Sequence, residues 1–249
     1  MHLALIILVC RPMKKNPDSL FETVKTVVFA VLLALLFRSL LFEPFHIPSG
    51  SMKGNLLVGD YLFVSKPIYG YSRYSFPFGF NLFEGRIFEQ SKPQRGDVVV
   101  FRKPTDPSID FIKRLIGLPG DTIQVMEGVV YLNGKALPRK QVADFTEYDA
   151  ATQTQIVIPQ YEETLPNGRT YKVLDETRFG LVDNTAIYTV PEGHYFMMGD
   201  NRDNSTDSRY IHEVGYVPAE NLVGKAEIIA FSMGEGISLR FDRFFTWIK

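Results

Sequence analysis

Two serines flank a glycine in the stretch His46-Ile47-Pro48-Ser49-Gly50-Ser51-Met52-Lys53-Gly54-Asn55-Leu56, and a serine on such a turn can present its hydroxyl as a nucleophile. Gly50 lets the backbone turn where a side chain would clash, so a hydroxyl can stand exposed and a neighbouring amide can face a developing oxyanion. Taken alone, Pro-Ser-Gly-Ser is also ordinary turn chemistry. A serine hydroxyl is a poor nucleophile at neutral pH, so hydrolysis at this loop would require a base. Lys113 is a candidate, because Phe111, Ile112, Leu115 and Ile116 flank it and on a strand Phe111 and Leu115 would share its face. Burial there disfavours the ammonium and lowers a lysine pKa by up to roughly 3–5 units. A surface lysine snorkelling along apolar neighbours is the alternative.

Three later stretches bear on that choice: Arg95-Gly96-Asp97-Val98-Val99-Val100-Phe101, Asp110-Phe111-Ile112-Lys113-Arg114-Leu115-Ile116-Gly117-Leu118-Pro119-Gly120-Asp121, and Gly199-Asp200-Asn201-Arg202-Asp203-Asn204-Ser205-Thr206-Asp207-Ser208-Arg209. Together with the serine loop, and in this order behind an apolar segment, they resemble the bacterial type I signal peptidases over most of the region from Phe45 to Ala230. The resemblance implies Ser51 as nucleophile and Lys113 as general base. It implies Ser49 as the hydroxyl that joins the Ser51 amide in the oxyanion hole, and Ser205 as the hydroxyl that orients the lysine amine. Arg114 with Asp200, and Asp207 with Arg209, match ion pairs that brace the site. No histidine falls in a block matching the family's catalytic ones. One departure is visible: Gly54-Asn55 stands where the family usually has Pro-Thr, which loosens the turn after the nucleophile without removing a reactive group.

The elements that position these residues begin with an apolar run from Phe21 to Phe42, approaching the roughly 20 residues needed to cross a bilayer and apolar on all faces rather than striped. It reads as a transmembrane helix over residues 21–42, with Arg38 near its distal end able to snorkel to the headgroups. Arg11, Lys14, Lys15 and Lys25 precede or open it while Glu43 follows, which puts residues 1–20 in the cytoplasm as a tail and everything after Phe42 outside. Met1 to Cys10 is too short to span and lacks a basic leader, so Met13 reads as the true start.

Beyond the helix, short β-rich runs separated by glycine, proline or aspartate argue for antiparallel strands, making the chain mainly β. They fall at 61–64, 97–102, 111–116, 122–126, 129–132, 155–158, 171–174, 186–190, 195–198 and 226–233. Val129-Val130-Tyr131-Leu132 before Asn133-Gly134 is a hairpin signal. The resemblance implies a catalytic β-domain built from residues 43–121 and 191–249, with a smaller β-domain inserted at 122–190. Phe76, Phe78, Phe80, Phe83 and Phe88 lie in a glycine-bearing stretch that either covers the core or dips into the bilayer interface.

The 249 residues carry 27 basic and 28 acidic side chains, which gives no electrostatic reason to invoke nucleic acid. With Cys10 as the only cysteine, neither an intrachain disulfide nor a cysteine-based zinc site can form. His2, His46, His194 and His212 are not spaced as metal ligands. The acid-rich block from Gly199 to Arg209 does not follow a known calcium loop and carries two arginines, so neither metal nor cofactor is expected. The resemblance implies a membrane-bound serine endopeptidase that cleaves signal peptides from exported preproteins at the outer face of the bacterial cytoplasmic membrane. The extended substrate would pair with edges around Ile47, Pro48 and Ser49 and around Asp110 to Ile112, with small residues at positions −1 and −3. A self-cleaving repressor would need a DNA-binding domain instead of the apolar segment, and an inactive scaffold would have lost a dyad residue. A peptidase specialised for one pilus or conjugation substrate stays open.

Overall fold

A computed structural model describes residues 17–75, 85–149, 153–177, 179–234 and 238–248. The expected cytoplasmic tail and the Met13 start fall almost entirely outside these residues, as do Phe76, Phe78, Phe80 and Phe83; Phe88 is described and strongly exposed. The chain divides into two units, residues 1–37 and 38–249.

In the first unit the apolar run folds as helix α1, Pro17–Leu40, about 36 Å long at 1.5 Å per residue. Pro17 suits the first turn, where its missing N–H would have no partner. Leu20, Phe21, Val24, Val27, Val28, Phe29 and Val31 to Leu33 are all exposed, as the unstriped sequence implies. The helix therefore begins before residue 21 and ends before 42, where the chain turns into a strand. Among the described residues no helix is long and apolar enough to cross a membrane; the side chains of residues 34–39 lie outside that set.

The second unit is built on antiparallel sheets. Its strands are β1 (Phe42–His46), β2 (Asp60–Ser65), β3 (Val98–Lys103), β4 (Asp106–Gly117), β5 (Thr122–Met126), β6 (Val129–Leu132), β7 (Lys135–Ala136), β8 (Arg139–Gln141) and β9 (Phe145–Asp149). There follow β10 (Thr154–Ile158), β11 (Gln160–Thr164), β12 (Thr170–Leu174), β13 (Tyr188–Thr189), β14 (His194–Met198), β15 (Val217–Pro218), β16 (Leu222–Ser232) and β17 (Thr246–Trp247). The large sheet runs β1-β2-β16-β3-β4-β14-β15, with β17 on β16. Strand β16, from late in the chain, thus lies between β2 and β3 and joins the two ends of the second unit. Pro44 is tolerated because β1 is an edge strand, where a missing ladder N–H is harmless.

Strands 5 to 13 do not enter this sheet. They form the sheets β13-β5-β6-β7 and β12-β11-β8 and the hairpin β9-β10. Asn133 and Gly134 both take positive φ, 52° and 75°, the conformation a tight two-residue hairpin demands. The strand expected at 186–190 shrinks to Tyr188–Thr189, which pairs only with Ile123 and Thr122 of β5; Ile187 is exposed.

The continuous run Val98-Val99-Val100-Phe101 reflects a strand covered on both faces. Val98 and Val100 pack with Ile47, Met52, Leu56, Leu62 and Val64, while Val99 and Phe101 pack with Tyr69, Leu115, Met197 and Leu222. A third cluster joins Ile116, Phe196 and Met198 of the large sheet to Ile123, Val125, Val130 and Tyr171. Phe101 is fully buried and meets Phe111 edge-on at 6.1 Å. Phe101→Ala is therefore expected to lower unfolding free energy by about 3–5 kcal/mol in urea titrations. The exposed Phe241→Ala should change it by no more than about 0.5 kcal/mol, and equal effects would refute the two-faced core.

Candidate active site

Ser51 sits in a single helical turn, Gly50–Met52, just after β1. The turn is anchored from both sides: Met52 and Leu56 are fully buried, Ile47 N donates to Asp60 O at 2.9 Å and Gly59 N to Ile47 O at 2.9 Å. Gly54, at φ 100°, supplies the left-handed step that other residues resist. Asn55, where the resembled family has Thr, donates through Nδ2 to Asp200 Oδ2 at 2.8 Å and to Lys172 O. The departure from the family pattern thus carries its own tether.

Across from this turn, β4 delivers Lys113. Its Nζ lies 2.7 Å from Ser51 Oγ and donates to Ile112 O at 3.0 Å. The lysine is 4% exposed, and its pKa falls to about 8. Burial is the main cause; Asp207 and Asp200 pull back towards the ammonium and Arg209 pushes with the burial. Such an amine holds a sizeable free-base fraction near neutral pH and can accept a hydroxyl proton. Ser49 Oγ stands 3.4 Å from Ser51 Oγ, beside the reacting atom.

Behind the lysine are two buried ion pairs. Arg114 grips Asp200 with both ends of its fork, Nε to Oδ1 at 2.8 Å and Nη2 to Oδ2 at 2.7 Å. Arg209 grips Asp207 likewise, at 2.8 Å and 2.9 Å. Although burial works to raise the Asp207 carboxyl, Arg209 and the Gly199 amide hold it below the usual range. A third pair, Arg202 with Glu163 (2.6 Å), has no counterpart in the sequence reading. Glu163 also takes the Tyr171 hydroxyl, and the Arg114 guanidinium lies 4.2 Å over the Tyr171 ring. Asn201 was likewise without a role in the sequence reading, yet its N donates to Ser51 O at 3.0 Å and its Nδ2 to Gly50 O at 3.0 Å.

Ser205 departs from expectation. Its Oγ is buried without a well-formed hydrogen bond, and Lys113 Nζ is taken by Ser51 and Ile112 instead; the hydroxyl lies close enough to Asp207 to favour its ionised form. Among the histidines, His46 packs its ring 4.8 Å from that of Tyr61, His194 Nδ1 meets Glu192 O, and His212 is exposed.

A cleft of about 630 Å³ opens over the pair, lined by Phe45–Ser51, Ile109–Lys113 and Asp203–Thr206. Ile47, Pro48, Asp110 and Ile112 all line it. From Asp110 to Lys113, β4 pairs with β3 alone, because β14 joins it only at Arg114, Leu115 and Gly117. That leaves one edge of β4 facing the cleft, where an extended peptide could add as a strand.

A family model described as signal peptidase, peptidase S26, matches residues 20–231. Signal peptidase I of Rickettsia akari (strain Hartford) is 47% identical over 215 residues, covering 82% of this chain and 77% of that protein. Signal peptidase I of Rickettsia canadensis (strain McKiel) is 46% identical over 219 residues, covering 84% and 78%. A crystal structure of a signal peptidase I from Enterococcus faecalis V583 is 32% identical over 54% of this chain and 97% of that one, at a TM-score of 0.32, too low for a structural argument.

The depressed lysine makes a stability prediction with a definite sign. Between about pH 8 and the ordinary lysine value of 10.5 the unfolded chain binds a proton that the folded chain does not, so stability rises with pH across that window. Below pH 8 the buried amine is at its most destabilising. Lys113→Met should accordingly melt higher than wild type at pH 7, with the difference shrinking by pH 10.5. A difference constant with pH would mean that the folded amine keeps an ordinary pKa.

Proposed function

The chain belongs to the peptidase S26 family of signal peptidases, and on that premise we propose that it is a serine endopeptidase which removes signal peptides from exported preproteins with a Ser51–Lys113 dyad. The carrying observation is the 2.7 Å approach of Lys113 Nζ to Ser51 Oγ in a cleft bounded by an unpaired strand edge. Lys113 takes the Ser51 proton as Oγ attacks the scissile carbonyl. The oxyanion is received by Ser49 Oγ and the Ser51 amide. Collapse breaks the C–N bond as the Lys113 ammonium protonates the leaving amine, and the free amine then deprotonates the water that hydrolyses the acyl-serine. Ser205 is assigned to holding the lysine through Asp207 rather than by a direct bond. The substrate runs as a strand along Asp110–Ile112 and Ile47–Ser49, with small side chains at −1 and −3.

The same reading makes residues 43–121 and 191–249 the catalytic β-domain, with 122–190 inserted. Helix α1 is the membrane anchor: it is about 36 Å long and its described apolar side chains are exposed all round. The basic residues before it put the N-terminus in the cytoplasm and the catalytic part outside.

Ser51→Ala and Lys113→Ala should each abolish preprotein cleavage without unfolding the chain, and the double variant should be no worse than either. Lys113→Arg should also fail, since guanidinium stays charged. More than a few per cent residual activity in Lys113→Ala would remove the dyad.

If Ser49 Oγ serves only the developing charge, Ser49→Ala should lower kcat by roughly 10²–10³ with little change in KM, while Ser49→Thr, keeping a hydroxyl, should lose far less. Equal losses would reduce Ser49 to a turn residue.

A further inference from the structure

Away from the dyad, three carboxylates converge from separate parts of the chain. Asp175 follows β12, Asp183 lies in the loop before β13, and Asp203 comes from the segment that carries Ser205. One oxygen of each lies within 4.8 Å of the others. Asp175 is 5% exposed and Asp183 1%, so water does little to screen their repulsion.

The cluster is held in that arrangement. Gly180 N donates to Asp183 Oδ2, and Glu176 N and Thr177 N donate to Asp203 Oδ2 at 2.6 and 3.1 Å. Arg139 takes Asp175 Oδ2. Asp175 Oδ1, a buried oxygen of the same carboxylate, has no partner. A buried carboxylate oxygen left without a donor is destabilising unless something positive meets it. Among the described residues the other nearby cation, Arg202, is already paired with Glu163. Among the described residues, three carboxylates against one guanidinium leave a formal charge of −2.

We infer that Asp175, Asp183 and Asp203 form a site for one hard divalent cation of calcium's size. Oxygens bound at roughly 2.3–2.6 Å to such an ion lie no more than roughly 5 Å apart, which the spacing satisfies, and an all-oxygen donor set suits calcium rather than a thiophilic metal. The charge of the ion cancels that of the cluster. Room for it is kept by Gly180, where a Cβ would stand 2.8 Å from Asp203 Oδ1 and 3.0 Å from Asp183 Oδ2. Because its ligands come from three segments, the site matches no contiguous calcium loop. Its effect would be to pin Asp175 and Asp183 to the strip 203–206 that lines the cleft. The inference does not depend on the peptidase chemistry.

The test uses the full chain in detergent, stripped with EDTA and melted during titration with CaCl2 at constant ionic strength. A rise in Tm is expected that sets in on the order of 10⁻⁴–10⁻³ M and then grows with the logarithm of the Ca²⁺ concentration, reaching roughly 5–10 °C at a hundredfold excess over Kd. Calorimetry should count one Ca²⁺ per chain. Asp183→Asn should abolish both signals and Gly180→Ala should weaken them, while Asp106→Asn, remote from the cluster and exposed, should leave them intact. No rise in wild type, or an undiminished rise in Asp183→Asn, would overturn the site. Should Asp183→Asn fail to fold, Gly180→Ala decides: undiminished Ca²⁺ binding there overturns it.

Discussion

The constraint on which the rest of the structure depends is that one lysine amine must stay dry. A buried ammonium is unfavourable, and that penalty brings the Lys113 pKa to about 8. The penalty survives only if neighbouring negative charge is already neutralised. Asp200 and Asp207 both act to restore the ammonium, and each is locked by its own arginine in a two-point grip. The ion pairs behind the site therefore do more than brace it. Removing Arg114 or Arg209 would leave a bare carboxylate facing the amine, raise its pKa and take away the base.

Strand geometry makes this arrangement compact. Consecutive residues of a strand face opposite sides, so Lys113 reaches Ser51 on the cleft side while Arg114 reaches Asp200, the Gly96 carbonyl and the Tyr171 ring behind. The serine turn is fixed independently by buried Met52 and Leu56 and by Asn201, whose backbone and side-chain nitrogens meet the carbonyls of Ser51 and Gly50. Nucleophile and base are thus placed by different elements, the turn after β1 and strand β4, which leaves little freedom in their separation.

Much of this was legible in the sequence where the signal was local. Apolar runs broken by glycine and proline marked β2 to β6, Asn133-Gly134 marked its hairpin, and the apolar flanks of Lys113 marked a buried amine. What escaped depends on partners far away in the chain. Asn55 meets Asp200 across 145 residues and Arg202 meets Glu163 across 39, and neither spacing leaves a local pattern. The two-residue strands β7, β15 and β17 are too short for alternation to show. Ser205 was assigned from resemblance alone to a bond with the lysine, but its buried hydroxyl makes no well-formed hydrogen bond, while the amine meets Ser51 Oγ and the Ile112 carbonyl. Helix α1 was found by its composition, and its ends shifted because the turn into β1 is set by pairing with β2.

The pH dependence of kcat/KM for preprotein cleavage tests the central claim most directly, since it reports the ionisation of the free enzyme's base. The account predicts activity that climbs with pH through about 8 and stays high above it until another group titrates. A profile already flat from about pH 5, well below the depressed lysine pKa, would contradict a deprotonated Lys113 as the base.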